Sequence, residues 1–263
     1  QPDIILTWMN RASHIVPSHG KFIRVGRLGG YYNLKYYRGC DHLIANTKDI
    51  VSYIKKNGWG DEQVHYLPNF VNDKTEVEIK REEFDTPKDN TLILALGRLH
   101  ENKAFDVLFE SLVKVPDAYL WLAGEGLLRK KLEKQAERIG IKPRVRFLGW
   151  RRDKEALFSA ADILVCPSRH EPLGNVIIEA WAQGVPVVAA DSIGPKSLIM
   201  EGQTGMLFPV DDSNALANVI NRLIADSELG KRLIEKGKEI YKLEYSQNVV
   251  IDKYMKLFKK ICS

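Results

Sequence analysis

The chain has 263 residues, of which 44% are hydrophobic and 28% charged, and its formal net charge is +5. That is enough apolar material for one large or two modest globular cores. No run approaches the roughly 18 consecutive apolar residues of a membrane-spanning helix, and a basic excess of this size, with no nucleic-acid motif beside it, is ordinarily solvated surface.

The first residues enter a strand-like run, Ile4-Ile5-Leu6, without a Met and without the charged and apolar regions of a signal peptide. The expectation is a piece that begins inside a longer protein. Short apolar runs predict strands over 3–7, 22–25, 42–45 and 64–66, with a helix over 31–38 and another from Thr47. Residues 1–75 therefore read as the C-terminal part of an α/β domain. Up to Gly60 this part is basic: Arg11, Lys21, Arg24, Arg27, Lys35, Arg38, Lys48, Lys55 and Lys56 stand against Asp3, Asp41 and Asp49.

A charged, weakly periodic stretch with Pro87 follows, and residues 76–90 are expected to be a linker. From Asn90 onward apolar runs alternate with amphipathic stretches. Strands are predicted over 91–96, 118–122, 144–147, 163–166, 187–190 and 205–208, and helices over 104–112, 127–139, 154–160, 175–182 and 214–224. This alternation specifies βαβ units, and crossovers of this length make a doubly wound parallel sheet, a Rossmann-like domain over 91–245. Val250, Ile251, Tyr254, Leu257, Phe258 and Ile261 recur at helical spacing opposite Lys253, Lys256, Lys259 and Lys260. They predict a last helix over 246–263 that packs back on the first domain, with contact to an anionic membrane as the alternative use of its lysines.

The segment from Cys166 to Gly184 carries the most chemistry: C-P-S-R-H-E-P-L-G-N-V-I-I-E-A-W-A-Q-G. A strand ends, a loop holds Glu171, and a helix starts near Gly174 and stops at a glycine. The first-turn N–H groups of that helix, around Gly174, Asn175 and Val176, would face the crevice where open α/β sheets take ligands, a place that suits a diphosphate. Glu171 and Glu179 would repel an anion unless they grip hydroxyl groups, which a sugar nucleotide offers on both sides of its diphosphate. Upstream, Gly97 and Arg98 follow a buried strand and Lys103 precedes a helix, so both cations sit at the same sheet edge, Arg98 as a forked donor and Lys103 as a point charge. Taken singly, each of these side chains is as readily solvated surface. Together they form an anion clamp.

In this order the segments P-D-I-I, Y-Y-R-G-C-D-H-L-I-A-N-T, L-P-N-F-V, G-R-L-H-E-N-K-A-F-D-V-L, W-L-A-G-E-G, V-R-F-L-G-W, E-P-L-G-N-V-I-I-E, G-V-P-V-V-A-A-D and G-Q-T-G-M-L-F-P-V are specific. The chain resembles the retaining GT-B glycosyltransferases called glycosyl transferases group 1. The resemblance implies that Glu171 faces the hydroxyls of the donor sugar and Glu179 the nucleoside ribose. It also implies that Arg98 and Lys103 bind the diphosphate with the backbone from Pro172 through Leu173 and Gly174 to Asn175, beside Gly97. The turn at Gly149 and Trp150 would lie beside the nucleobase, although Trp150 is as readily a packing residue. Fixed cations and aligned amides would stabilise the leaving diphosphate in place of a divalent ion.

No Asp-x-Asp occurs, and the histidines at 14, 19, 42, 65, 100 and 170 have no ligand spacing, so no metal and no cofactor are expected, the sugar nucleotide being a co-substrate. The donor would be a UDP-, GDP- or ADP-sugar and the acceptor a glycan or glycolipid, as in lipopolysaccharide synthesis. Cys40, Cys166 and Cys262 show no Cys-x-x-Cys spacing, which fits a reducing cytoplasm, at the inner face of the plasma membrane if the lysines meet lipid. One element departs from the family pattern. Where many members carry a His or Asp facing the reacting sugar, this chain reads Gly26-Arg27-Leu28-Gly29-Gly30, and that role is unassigned. The competing readings are a non-catalytic sugar-nucleotide-binding module and another GT-B enzyme such as an epimerase or phosphorylase. A nicotinamide dehydrogenase is disfavoured because Gly124-Glu125-Gly126 is not continued to a third glycine.

Overall fold

The computed structural model describes residues 2–17, 19–72 and 78–263. In chain order the elements are β1 Ile4–Trp8, α1 Met9–His14, β2 Ile23–Leu28, β3 His42–Ala45, α2 Lys48–Lys56, β4 Val64–Tyr66, β5 Thr91–Leu96, α3 Phe105–Leu112, β6 Ala118–Ala123, α4 Arg129–Arg138, β7 Val145–Gly149, α5 Lys154–Ala160, β8 Ile163–Cys166, α6 Asn175–Gln183, β9 Val187–Ala190, α7 Ile193–Leu198, β10 Met206–Phe208, α8 Ser213–Ala225, α9 Ser227–Ile240 and α10 Gln247–Cys262. They form two compact units, Gln1–Phe70 with Glu244–Ser263, and Val71–Leu243. No helix among the described residues is long and apolar enough to cross a membrane.

The first unit holds a parallel sheet in the order β1-β2-β3-β4. Side chains alternate along each strand, so Leu43 and Ala45 meet Ile50 and Ile54 of α2 on one face, while Ile44 meets Val25, Leu67 and Leu257 of α10 on the other. Lys256, Lys259 and Lys260 of α10 are exposed, while Lys253 is half-buried and donates to Glu244 O at 3.4 Å. Thr47 starts α2 by accepting from the Ile50 N–H at 3.0 Å. The helix expected over 31–38 is only a 3₁₀ turn, Leu34–Tyr37, and β2 runs three residues past the predicted end at Val25.

The second unit is a six-stranded parallel sheet in the order β10-β9-β8-β5-β6-β7. Its strands read as continuous apolar runs because both faces are covered. Ile93, Ala95, Leu120, Leu122, Val165 and Val188 pack with Phe109, Leu132, Leu216 and Leu233 of the helices on one side. Trp121, on the opposite face of β6, is fully buried and donates to Thr86 Oγ1 at 2.9 Å, with the Phe84 ring edge-on at 5.1 Å. Thr86 and Phe84 belong to the stretch expected to be a linker. Residues 76 and 77 of that stretch lie outside the described residues. The rest is fastened to the second unit: Arg81 donates to the carbonyls of Ala160 and Asn90 at 2.9 and 3.0 Å and pairs with Asp162 at 2.8 Å.

Helices α1, α7 and α9 were not predicted. In α9, Gly230 and Gly237 dilute the helical pattern. Gly237 has a packing reason, since a Cβ there would lie 2.5 Å from the Trp181 ring.

His42 and His65 share the α10 face of the first sheet, with His65 Nε2 3.2 Å from His42 Nδ1. Burial, the His42 charge and Lys260 push the His65 imidazole down from 6.5 to about 4. An unfolded chain takes up this proton near pH 6.5 and the folded one only near pH 4, so the folded state loses stability as pH falls across that window. Urea titrations at pH 7 and pH 5 should show a smaller loss for His65→Asn than for the natural chain. Equal losses would mean that this histidine does not set the acid limit.

Candidate functional site

The strand order reverses between β5 and β8, the first and fourth strands of the second unit, and their crossovers leave in opposite directions. Loops after the carboxyl ends of these two strands diverge and leave a crevice, the position at which open α/β sheets bind ligands. The loop after β5 carries Gly97, Arg98 and Lys103, and the loop after β8 carries Pro167 to Gly174.

The Arg98 loop is shaped by its neighbour. Gly97 N donates to Ala123 O at 3.0 Å and Leu99 N to Glu125 O at 2.9 Å. A Cβ on Gly124 would sit 1.9 Å from Gly97 O, and one on Gly126 2.4 Å from Leu99 O. The Gly-Glu-Gly run therefore admits the 97–99 backbone and is no dinucleotide fingerprint. Arg98 itself is exposed, and among the described residues nothing pairs with it.

Lys103 and Glu171 form an ion pair across the two loops, with Ser168 Oγ donating to the same carboxylate oxygen at 3.4 Å. Gly174, in the left-handed region at φ 93°, is the N-cap of α6 and has no side chain to occupy the first-turn N–H groups. Pro172 is half-buried, Leu173 buried and Asn175 exposed at this helix start. Glu179, in the second turn of α6, is 8% exposed, which excludes the reading of it as a solvated helix residue. It is paired with Lys154. Trp150 is 77% exposed, directly after β7, and so is not a packing residue.

Sequence reasoning missed two residues. Lys154 is the first residue of α5, the end of a helix where the dipole disfavours a cation, and that misplacement was the available signal. Arg169 had none. It forks onto Asp106 at 2.7 and 3.0 Å, reaches Asp211 at 2.6 Å and donates to Glu101 O at 2.8 Å. It thereby ties the loop of Glu171 to the loop of Lys103. Burial alone would raise the Asp106 carboxyl, but the Arg169 fork and charge outweigh it and the net shift is downward.

Two parallel α/β sheets in one chain, the second doubly wound with its crevice at the strand reversal, place the protein in the GT-B class. Solved structures agree on the fold. HepE of Anabaena, crystallised in complex with UDP and glucose, matches with a TM-score of 0.87 at 23% identity over 98% of this chain and 77% of that one. A glycosyltransferase from Rickettsia africae matches with a TM-score of 0.88 at 20% identity over 98% and 76%. Residues 76–240 match the glycosyl transferases group 1, and the chain belongs to that family. It is 37% identical to the lipopolysaccharide core biosynthesis glycosyltransferase LpsE of Rhizobium meliloti over 98% of this chain and 76% of that protein, and 33% identical to LpsD of the same organism over 99% and 76%.

Removing Lys154 leaves a nearly buried carboxylate without its cation, a larger cost than for a surface pair but tempered by the partial exposure of Lys154. Lys154→Met should lower stability by about 1–2 kcal/mol. The double variant with Glu179→Gln should recover most of it in thermal melts. Additive losses would contradict the pairing.

Proposed function

We propose that this chain binds the nucleoside diphosphate of a sugar donor in the β5/β8 crevice and serves a retaining, metal-independent glycosyl transfer to an acceptor hydroxyl. The observation that carries the reading is the convergence of Arg98, Lys103 and the uncapped start of α6 at the strand reversal. A diphosphate there meets a forked cation, a point charge and aligned N–H donors. Glu171 takes hydroxyls of the donor sugar and Glu179 those of the ribose, while Trp150 borders the base. Gly97 and the backbone from Pro172 through Leu173 and Gly174 to Asn175 border the phosphates.

In the transfer, the anomeric C–O bond to the diphosphate breaks and a bond to the acceptor oxygen forms on the same face. The acceptor proton passes to the leaving phosphate. Negative charge grows on the diphosphate as its bond breaks, so Arg98, Lys103 and the helix end bind the transition state more tightly than the ground state. Kinship with LpsE and LpsD supports an acceptor of the lipopolysaccharide core type, a glycan or glycolipid. That in turn supports action at the cytoplasmic face of the plasma membrane, where the lysines of α10 would meet anionic lipid. UDP is the first nucleotide to test, since HepE was crystallised with it.

Calorimetry with UDP, GDP and ADP tests the reading. One of them should bind, and Lys103→Ala should weaken it by about tenfold or more while leaving the corresponding nucleoside nearly unchanged. Glu179→Ala should weaken nucleotide and nucleoside alike. Losses of equal pattern in the two variants would remove the assigned roles, and binding with no transfer under any acceptor would leave a binding module. Excess EDTA should change neither affinity nor turnover, and a tenfold fall would require a metal.

A further inference from the structure

The carboxyl edge of the sheet in the first unit carries a second set of functional groups. Arg27 is the next-to-last residue of β2 and only 9% exposed. Its Nε donates to Tyr254 OH at 2.7 Å, its Nη2 donates to Asn69 Oδ1, and its guanidinium lies 5.7 Å from the centre of the Trp8 ring. Among the described residues no carboxylate pairs with it. A cation withdrawn from water without a countercharge is costly, and neutral partners return only part of that cost.

The neighbouring strand ends are unusual in the same way. Asn46 follows the last residue of β3 and is 4% exposed, yet its Oδ1 has no hydrogen-bond partner among the described residues. The buried Oδ1 of Asn10, two residues past β1, has none either. Trp8, the register partner of Arg27 at the end of β1, is 52% exposed. An unneutralised cation, two orphaned acceptors and an exposed aromatic ring thus share one edge of a parallel sheet, the edge where such sheets take ligands.

We propose that this edge is a binding site for an anionic sugar, with Arg27 meeting its carboxylate or phosphate, Asn46 and Asn10 accepting from its hydroxyls, and Trp8 lying against the ring. The positive charge of Arg27 is left uncompensated inside the protein because the ligand supplies the countercharge. The glycosyltransferase reading enters only in taking this sugar to be the acceptor, which then carries an acidic or phosphorylated residue at or beside the hydroxyl that is glycosylated.

Asn69 offers a direct test, since Asn69→Asp keeps the shape and adds the missing negative charge next to Arg27. Glucuronate, glucose 6-phosphate and glucose are titrated into the whole chain while the Arg27 Nε–Hε resonance is followed by NMR, with melting temperatures recorded beside them. The natural chain should show saturable shifts with both anionic sugars and none with glucose. Asn69→Asp should melt higher and bind the anionic sugars at least about tenfold more weakly. Asn46→Ala, which removes an atom with no partner, should melt within a few degrees of the natural chain yet bind the same sugars several-fold more weakly.

Absence of binding by the natural chain overturns the proposal, as does undiminished affinity in Asn69→Asp or in Asn46→Ala. UDP titrated into the same samples reports separately on the donor reading. Its affinity should be the same in Asn69→Asp as in the natural chain, and a parallel loss of UDP would assign Arg27 to the nucleotide and overturn the proposal.

Discussion

The reversal of strand order between β5 and β8 is the constraint from which the rest of the second unit follows. These strands share only the register pairs Ile93 with Ile163 and Leu94 with Leu164. Their chains depart to opposite sides, so the carboxyl edge of the sheet opens between them and nowhere else along the β10-β9-β8-β5-β6-β7 order. Residues far apart in sequence, Lys103 and Glu171, meet across that opening. The glycines at 124 and 126 hold the Arg98 loop against β6, and the forked contacts of Arg169 hold the two loops to each other. Side chains within a crevice of this kind are placed by backbone that cannot easily move, which is what preorganised charge requires.

The two units handle charge in opposite ways. In the second, the acids of the crevice are neutralised internally, Glu171 by Lys103 and Glu179 by Lys154. On the proposed reading an arriving diphosphate competes with Glu171 for Lys103, and the carboxylate is released toward sugar hydroxyls. The nucleoside end needs no such exchange, because Lys154 can keep one oxygen of Glu179 while the other faces the ribose. In the first unit the imbalance is positive and stands open at Arg27. A buried charge balanced inside the protein favours stability of the empty state, whereas one left unbalanced favours a ligand that brings the opposite sign.

Much of this was legible in the amino-acid order. Short apolar runs and period-3.6 patterns located all ten strands of the described residues to within a few residues and most of the longer helices, because burial on both faces demands uninterrupted apolar runs such as those of β5, β8 and β9. Pattern reading failed where glycines interrupted α9, where short helices such as α1 and α7 carry too few turns to show a period, and where residues 78–90 looked charged and irregular. In that last stretch most charges are exposed, but Arg81 is half-buried and spends its donors on backbone carbonyls and on Asp162.

Sequence alone determined which residue types stand in the loops after the strands and in the helix that follows, Arg98, Lys103 and Glu171 in the loops and Glu179 in α6, since such positions can be read locally from apolar runs and helix starts. Tertiary structure decided which of them touch. The pairing of Lys103 with Glu171, of Lys154 with Glu179 and of Arg169 with Asp106 and Asp211 spans separations that no periodicity reports. The isolation of Arg27 from every carboxylate among the described residues is likewise a property of the folded neighbourhood. Whether a charge is solvated, paired or left waiting depends on the dielectric and the partners around it, and the fold alone supplies both.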